Sequence, residues 1–196
     1  MIVMVKLRVP VVLAVMLACV GCSEAGPSPS AVSAPPGPQS AAAGNRGVAL
    51  LLQRGIDQGQ KGDLASAEKT FRSLLEVDAS NKYAWYNLGV VEQRRKKNAQ
   101  AVASYDKALA ADPGFTPAMY NKAIILEDKR DDAAAMRLYK QIVVLNPKAS
   151  TTFLRMGLLQ LRKGETDSAR DSFSKALAID PQLRDSVPEQ YRPDGP

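Results

Sequence analysis

A 34-residue period constrains this chain more than anything else in it. Written as four windows without insertions, residues 48–81, 82–115, 116–149 and 150–183, the sequence aligns with itself. Place 8 of each window is small: Gly55, Gly89, Ala123, Gly157. Place 20 is always alanine: Ala67, Ala101, Ala135, Ala169. Place 24 is always aromatic: Phe71, Tyr105, Tyr139, Phe173. Aromatic residues are only 6% of the chain, so four of them at one fixed place mark a repeat. Such self-similarity is the signature of stacked units, each too small to bury its apolar face alone.

Each window reads as two helices. Places 4 and 8 lie one turn apart and face one way, and places 20, 24 and 27 do the same on the second helix. Small residues at 8 and 20 let the two helices approach closely, with the aromatic at 24 filling the gap. Breakers separate the helices at Gly62-Asp63, Lys97-Asn98, Arg130-Asp131 and Gly164-Glu165. The second helix ends at Asp112-Pro113, Asn146-Pro147 or Asp180-Pro181, because proline disfavours the helical region for the residue before it. In the first window Ala79 stands in the proline place.

These residues resemble the tetratricopeptide repeat, whose pattern is Trp, Leu, Gly, Tyr, Ala, Phe, Ala and Pro at places 4, 7, 8, 11, 20, 24, 27 and 32. The second window matches best, with Trp85, Leu88, Gly89, Ala101, Tyr105, Ala108 and Pro113. The fourth matches at Gly157, Ala169, Phe173, Ala176 and Pro181, with Phe153 in the tryptophan place. The first is weaker, with Arg54 at place 7. Place 11 departs in every window: Gln58, Glu92, Leu126, Gln160. The resemblance covers residues 48–183 and implies an all-α fold, a right-handed α-solenoid of four helix-turn-helix repeats and eight helices.

Residues 1–22 read as a secretion signal. Lys6 and Arg8 form the basic region, and Val9 to Val20 is apolar but too short to span a bilayer as a helix. Cys19-Val20-Gly21-Cys22-Ser23 follows. The spacing of the two cysteines invites a redox or haem reading, but serine stands where haem attachment needs histidine. The stretch instead resembles a bacterial lipoprotein signal, in which a cysteine after a small residue receives lipid. Cys22 after Gly21 is the expected site and Cys19 the alternative. A cleaved signal without lipid and an uncleaved anchor stay open. The resemblance places the chain on the extracytoplasmic side of a bacterial membrane, with the outer membrane a further option.

Residues 23–47 are rich in Pro, Ser, Ala and Gly and read as an extended linker that cannot build a core. The first helix is expected to begin near Asn45 or Gly47, with Asn45 as a cap. Residues 184–196 hold Pro188, Pro193 and Pro196 and read as too short and broken for a capping helix. Leu177 and Ile179 would then be partly open, unless the tail folds back over them.

Composition limits the function. There is no histidine, which removes histidine-based triads, histidine-ligated zinc and most general-base chemistry near neutral pH. The net charge of +6 falls to +4 without Lys6 and Arg8, too mild for nucleic-acid binding, and no basic stripe interleaves with aromatics. Glu127, Asp128, Asp131 and Asp132 are near in sequence, but they straddle a helix end and lack a calcium-loop pattern. No cofactor or metal site is expected. Arg94-Arg95-Lys96-Lys97 closes a helix, where cations suit the dipole and read first as a solvated end.

A binding surface is legible on the first helix of each window. Places 5 and 9 share a face distinct from that of places 4 and 8. They hold Leu52 and Ile56, Tyr86 and Val90, Tyr120 and Ile124, Leu154 and Leu158. Asn87, Asn121 and Arg155 follow at place 6, and Arg94 and Arg162 at place 13. The family resemblance implies that this face lines a concave groove. Some of these side chains pack between neighbouring helices in such repeats. The functional alternative is an apolar groove edged by arginine and asparagine, suited to an amphipathic or extended segment. The expectation is therefore a non-enzymatic adaptor, tethered to a membrane, that binds a partner protein in its groove. An assembly factor for envelope machines, such as outer-membrane insertion complexes or pilus secretins, is a narrower alternative. Self-association as a homo-oligomer through the C-terminal end is another.

Overall fold

The computed structural model of the chain describes residues 38–192, with side chains from residue 46 onward. Eight helices follow in order: α1 Pro38–Gln60, α2 Leu64–Val77, α3 Lys82–Arg94, α4 Asn98–Ala111, α5 Thr116–Asp128, α6 Asp132–Leu145, α7 Ser150–Arg162 and α8 Thr166–Ile179. Two short 3-10 helices, Pro181–Ser186 and Glu189–Tyr191, close the chain. Each helix packs on its neighbours in sequence, so the four pairs stack in one row as an α-solenoid. The first helices also touch across repeats, α1 with α3 and α3 with α5.

The alignment of windows explains the core. All four place-20 alanines are fully buried, and so are the place-24 aromatics Phe71, Tyr105, Tyr139 and Phe173. The glycines opposite them leave no room for more. A Cβ added at Gly55, Gly89 or Gly157 would stand 2.5–2.6 Å from the ring of Phe71, Tyr105 or Phe173. The close approach of three of the four helix pairs thus rests on glycine facing an aromatic ring, and the third pair has Ala123 at that place.

The turns repeat as faithfully. Place 15 has positive φ in every window: Gly62 at 83°, Lys96 at 61°, Arg130 at 65° and Gly164 at 75°. The breaker therefore sits at Lys96 in the second window, one residue before the Lys97-Asn98 pair that composition suggests. At the end of each second helix the place-31 side chain turns back on the chain. Asp78, Asp112, Asn146 and Asp180 accept from the N–H two residues on, at 3.2, 2.9, 3.1 and 3.0 Å. That Asx turn operates with or without the following proline, which is why Ala79 breaks the first pair as cleanly.

One expectation needs correcting. Helix α1 begins at Pro38, not at Asn45 or Gly47, so residues 38–47 of the expected linker are helical. Proline suits a first helical turn, and Ala41-Ala42-Ala43 are strong helix formers. The signal residues 1–22 and the rest of the linker lie outside the described residues. The tail folds back over the last repeat, one of the two readings of its sequence, and does so without a capping α-helix. Val187 is 1% exposed and joins Ala169, Phe173 and Leu177 in the last core cluster. The Tyr191 ring lies 5.5 Å from that of Phe173, and Arg170 sits over Tyr191 at 5.8 Å. Short 3-10 turns suffice here because the tail inserts only a few apolar side chains, Val187 and Tyr191 among them. Leu177 is buried as a result, while Ile179 keeps 37% of its surface.

Candidate functional site: a groove across three repeats

The eight apolar residues at places 5 and 9 are all half-buried, neither core nor free surface. What they touch divides them. Leu52 and Ile56 pack on the first core cluster, around Phe71 and Leu74. Leu154 and Leu158 pack on the last, together with the tail residues Leu183 and Tyr191. Val90 and Tyr86 pack on the cluster of Tyr105 and Ala118. Tyr120 packs on the cluster of Tyr139, and at the centre of the stripe Tyr86 and Tyr120 keep a face open to a site.

That centre is a pocket of about 300 Å³. Tyr86 of α3, Tyr120 and Asn121 of α5, and Thr151 and Thr152 of α7 line it, so three successive repeats contribute. Thr116, Pro117, Asn146 and Ala149 complete the rim, with Ile142 beneath. None of these lining residues is charged. The tyrosines are anchored from behind. The Tyr86 ring is 6.1 Å from Tyr105 and meets Phe115 edge-on at 5.5 Å. Tyr120 lies 5.9 Å from Tyr139. Such tilted and edge-on pairs favour the observed geometry and hold the rings still. Asn121 Nδ2 donates to the Tyr86 hydroxyl at 3.4 Å, tying the second repeat to the third. Burial raises the Tyr86 pKa, and the Asn121 contact offsets this in part. The hydroxyl thus stays protonated and can donate to a ligand.

Of the other expected groove residues, Asn87, Arg94 and Arg162 are engaged elsewhere, while Arg155 bonds Tyr120 beside the pocket. Asn87 Nδ2 donates to the carbonyl of Tyr83, one turn back on its own helix, at 2.7 Å. Arg94 Nη1 donates across the repeat boundary to the carbonyl of Gly59 at 2.6 Å. Ile124 remains half-buried on α5. Arg155 loses hydration by burial, yet its hydrogen bond to Tyr120 and the charge of Glu127, 3.6 Å away, keep its pKa raised. Arg162 spans Glu127 at 3.6 Å and Asp132 at 2.7 Å.

The basic run Arg94–Lys97 ends its helix at the surface, with Arg94, Arg95 and Lys96 exposed, yet Arg94, Arg95 and Lys97 also reach across the repeat boundary. Arg95 bonds Glu68, and Lys97 stands 3.4 Å from the same carboxylate. Arg72 adds a 2.6 Å contact to Glu68 and reaches Glu92 at 3.5 Å. Glu68, Glu92 and Glu127 are all buried acids; in the sequence Glu92 stands out only as a departure at place 11, Glu127 only within an acidic group that makes no metal site, and Glu68 not at all. The signal that points to such buried polar groups is a hydroxyl recurring at a fixed offset in the windows. Thr70 donates to Gln58, Ser104 to Glu92, and Ser172 pairs with Gln160, each across 12 residues. Only the third window breaks the rule, with Leu126 and Leu138 at those places. Place 11, which departs from the family tyrosine, has its own partner here at place 23.

Among the described residues no group of three or more acidic, cysteine or histidine side chains could hold a metal, and no helix is long and apolar enough to cross a membrane. The tetratricopeptide repeat sequence model matches residues 52–114, 92–150 and 120–184. No curated protein matches the chain significantly. Several solved structures share the fold. MamA superposes with a TM-score of 0.65 at 21% identity, over 74% of this chain and 84% of its own. PilF of Pseudomonas aeruginosa gives 0.65 at 26% identity, over 71% and 64%. YrrB, a tetratricopeptide repeat protein with an unusual peptide-binding site, gives 0.62 at 21%, over 69% and 70%.

Proposed function

Because the chain belongs to the tetratricopeptide repeat family, we propose that it is a non-enzymatic adaptor that receives a segment of a partner protein in the Tyr86–Tyr120 groove. Repeat solenoids of this kind present extended binding surfaces on rigid stacked units. The observation that carries the reading is the pocket that Tyr86, Tyr120, Asn121 and Thr151 build from three separate repeats. Its two rings are fixed by stacking, and its amides and hydroxyls can pair with a peptide backbone. A lining without charge suits a segment whose anchors are apolar and whose recognition is by hydrogen bonding.

The finer part of the proposal is a location. Lipid on Cys22, or alternatively on Cys19, would hold the repeats at the extracytoplasmic face of a bacterial membrane. The support is the order of a basic region, an apolar run and a cysteine after a small residue. Tethering raises the local concentration of membrane-bound partners without any new contact.

The groove is tested by placing a photoreactive phenylalanine analogue at Thr151, on its rim, and at Ser174, exposed on α8. The full chain is then irradiated in the source cell. Adducts formed from Thr151 and not from Ser174, and lost when Tyr120 is changed to alanine, are the expected result. Adducts from both sites alike would remove the groove from the reading. Metabolic labelling with a radioactive fatty acid tests the anchor: label lost in Cys22→Ser is expected, and an unlabelled wild type would end that part of the proposal.

A further inference from the structure

The four windows serve as internal controls for one another, and one corner of the third window breaks their pattern. Place 4 stands at the junction with the preceding repeat. In the second window it is Trp85, which packs on the clusters of both adjoining repeats. Its indole N–H donates to the carbonyl of Ala79, at place 32 of the window before, at 2.8 Å. In the fourth window the place holds Phe153. In the third it holds Met119, facing Pro113 in the equivalent of the Ala79 place. At that junction an open crevice of about 400 Å³ remains, lined by Pro113, Met119, Lys140, Gln141, Val144 and Leu145.

A second anomaly lies on the same rim. Place 29 is Glu76, Ala110 and Ala178 in the other windows, but Val144 here, 79% exposed beside Leu145 at 54%. Exposed apolar residues recur at the Leu145 place, as at Val77, but Val144 stays in water where its sisters carry glutamate or alanine, and the fold does not require it. Lys140 lines the crevice, and no acidic side chain does. The crevice shares no lining residue with the groove pocket.

We propose that this crevice is a second docking site, which takes an aromatic side chain of a partner protein carrying an acidic residue close to that anchor. The shape of the occupant follows from the sister repeats, where tryptophan or phenylalanine of the chain itself fills the corner. Its charge follows from Lys140, whose ammonium is the one charge in the lining. An aromatic anchor in a pocket with an apolar rim is the pattern of a binding hot spot. The proposal stands apart from the groove reading: the two sites are on different residues, and each fails by its own test.

The test uses two indole probes on the amide-labelled full chain, followed by NMR. Indole-3-acetate carries a carboxylate and tryptamine an ammonium. Shifts at Gln141, Val144 and Leu145 are expected with indole-3-acetate, with tryptamine about threefold weaker, the effect of a rim charge pair. Lys140→Glu should reverse that order. Met119→Trp, which installs the residue of the second window, should abolish binding while the fold is kept. Should Met119→Trp misfold, Val144→Glu repeats the test with the residue that the first window carries. No shifts up to the solubility limit, shifts confined to other residues, or shifts that persist in both variants would overturn the site. A photoreactive residue at Val144 then identifies the occupant. Adducts only with a second copy of this chain would replace the acidic partner by self-association and overturn the proposal.

Discussion

Ser104 donates to the buried carboxylate of Glu92 at 2.6 Å, and the two residues occupy the places that Leu138 and Leu126 fill one repeat later. One architecture therefore accepts either a hydrogen-bonded polar pair or an apolar pair at the same junction. It does not accept half of each. A buried acceptor left without its donor costs about 1–3 kcal/mol, whereas replacing both partners by apolar groups can be nearly neutral. Ser104→Ala should thus destabilise by roughly 1–2 kcal/mol, part of the loss being covered by Arg72 at 3.5 Å. The double change Glu92→Leu with Ser104→Leu should cost less than Glu92→Leu alone. Urea unfolding of the three variants checks this, and additive losses would contradict it.

Arg130 holds φ at 65°, where the first and fourth windows place Gly62 and Gly164. A non-glycine residue in the left-handed region is strained by about 1–2 kcal/mol, and glycine removes that strain at some cost in chain entropy. Arg130→Gly is expected to stabilise by roughly 0.5–1 kcal/mol, read as a raised thermal midpoint. The same change at Arg137, exposed in the interior of α6, should destabilise by about 0.5–1 kcal/mol.

Gly89 sets the opposite limit. A Cβ there would stand 2.6 Å from Tyr105 Cε1, and the ring is packed too tightly to retreat freely. Overpacking of this kind costs about 1–3 kcal/mol, offset by up to about 1 kcal/mol of helix propensity. Gly89→Ala should be destabilising by calorimetry, although the third window pairs Ala123 with Tyr139. In both windows the ring hydroxyl donates to the side chain at place 12, Tyr139 to Glu127 at 3.0 Å and Tyr105 to Gln93 at 2.8 Å, so each ring is held at its far end.

Acid should weaken the junction of the first two repeats. Burial acts to raise the Glu68 pKa, but Arg72, Lys97 and Arg95 together outweigh it and lower it below its ordinary 4.5. A carboxylate with a lowered folded pKa adds stability that is complete above 4.5 and lost as pH falls through the folded value. The wild type is therefore expected to lose stability below about pH 4.5, and Glu68→Gln to show a shallower decline over the same range. Urea midpoints measured from pH 6 to pH 3 distinguish the two. Parallel curves would remove Glu68 from this role.

The tail can be removed to expose the last repeat. Deleting residues 184–196 uncovers Phe173 and Leu177, which pack with Val187 and Tyr191 in the intact chain. The lost burial of one valine alone is worth about 1.5–3 kcal/mol, so the thermal midpoint should fall. Sedimentation should show concentration-dependent association of the truncated chain through its open end. A truncated chain that stays monomeric at all concentrations would show that this end does not drive self-association.

The chain's period, its helix pairs and the residues of its core are legible in the amino-acid sequence. A 34-residue repeat carries four copies of the same packing problem, and the small-aromatic pairs at places 8 and 24 can be read directly because each copy solves it alike. The groove is legible only as a face. Its eight apolar residues have the same spacing in every window, and nothing local separates Tyr86 and Tyr120, which line the pocket, from Leu154, which packs beneath the tail. Side chains that meet across repeats depend on stacking geometry, not on helical spacing. That is why Arg94 on the Gly59 carbonyl, and Arg95 and Lys97 on Glu68, look like a free basic run when only their order in the chain is considered. Local periodicity thus determined the fold. Which polar groups are consumed in joining the repeats, and which stay open to a partner, was decided only by contacts between residues about 30 apart in the chain.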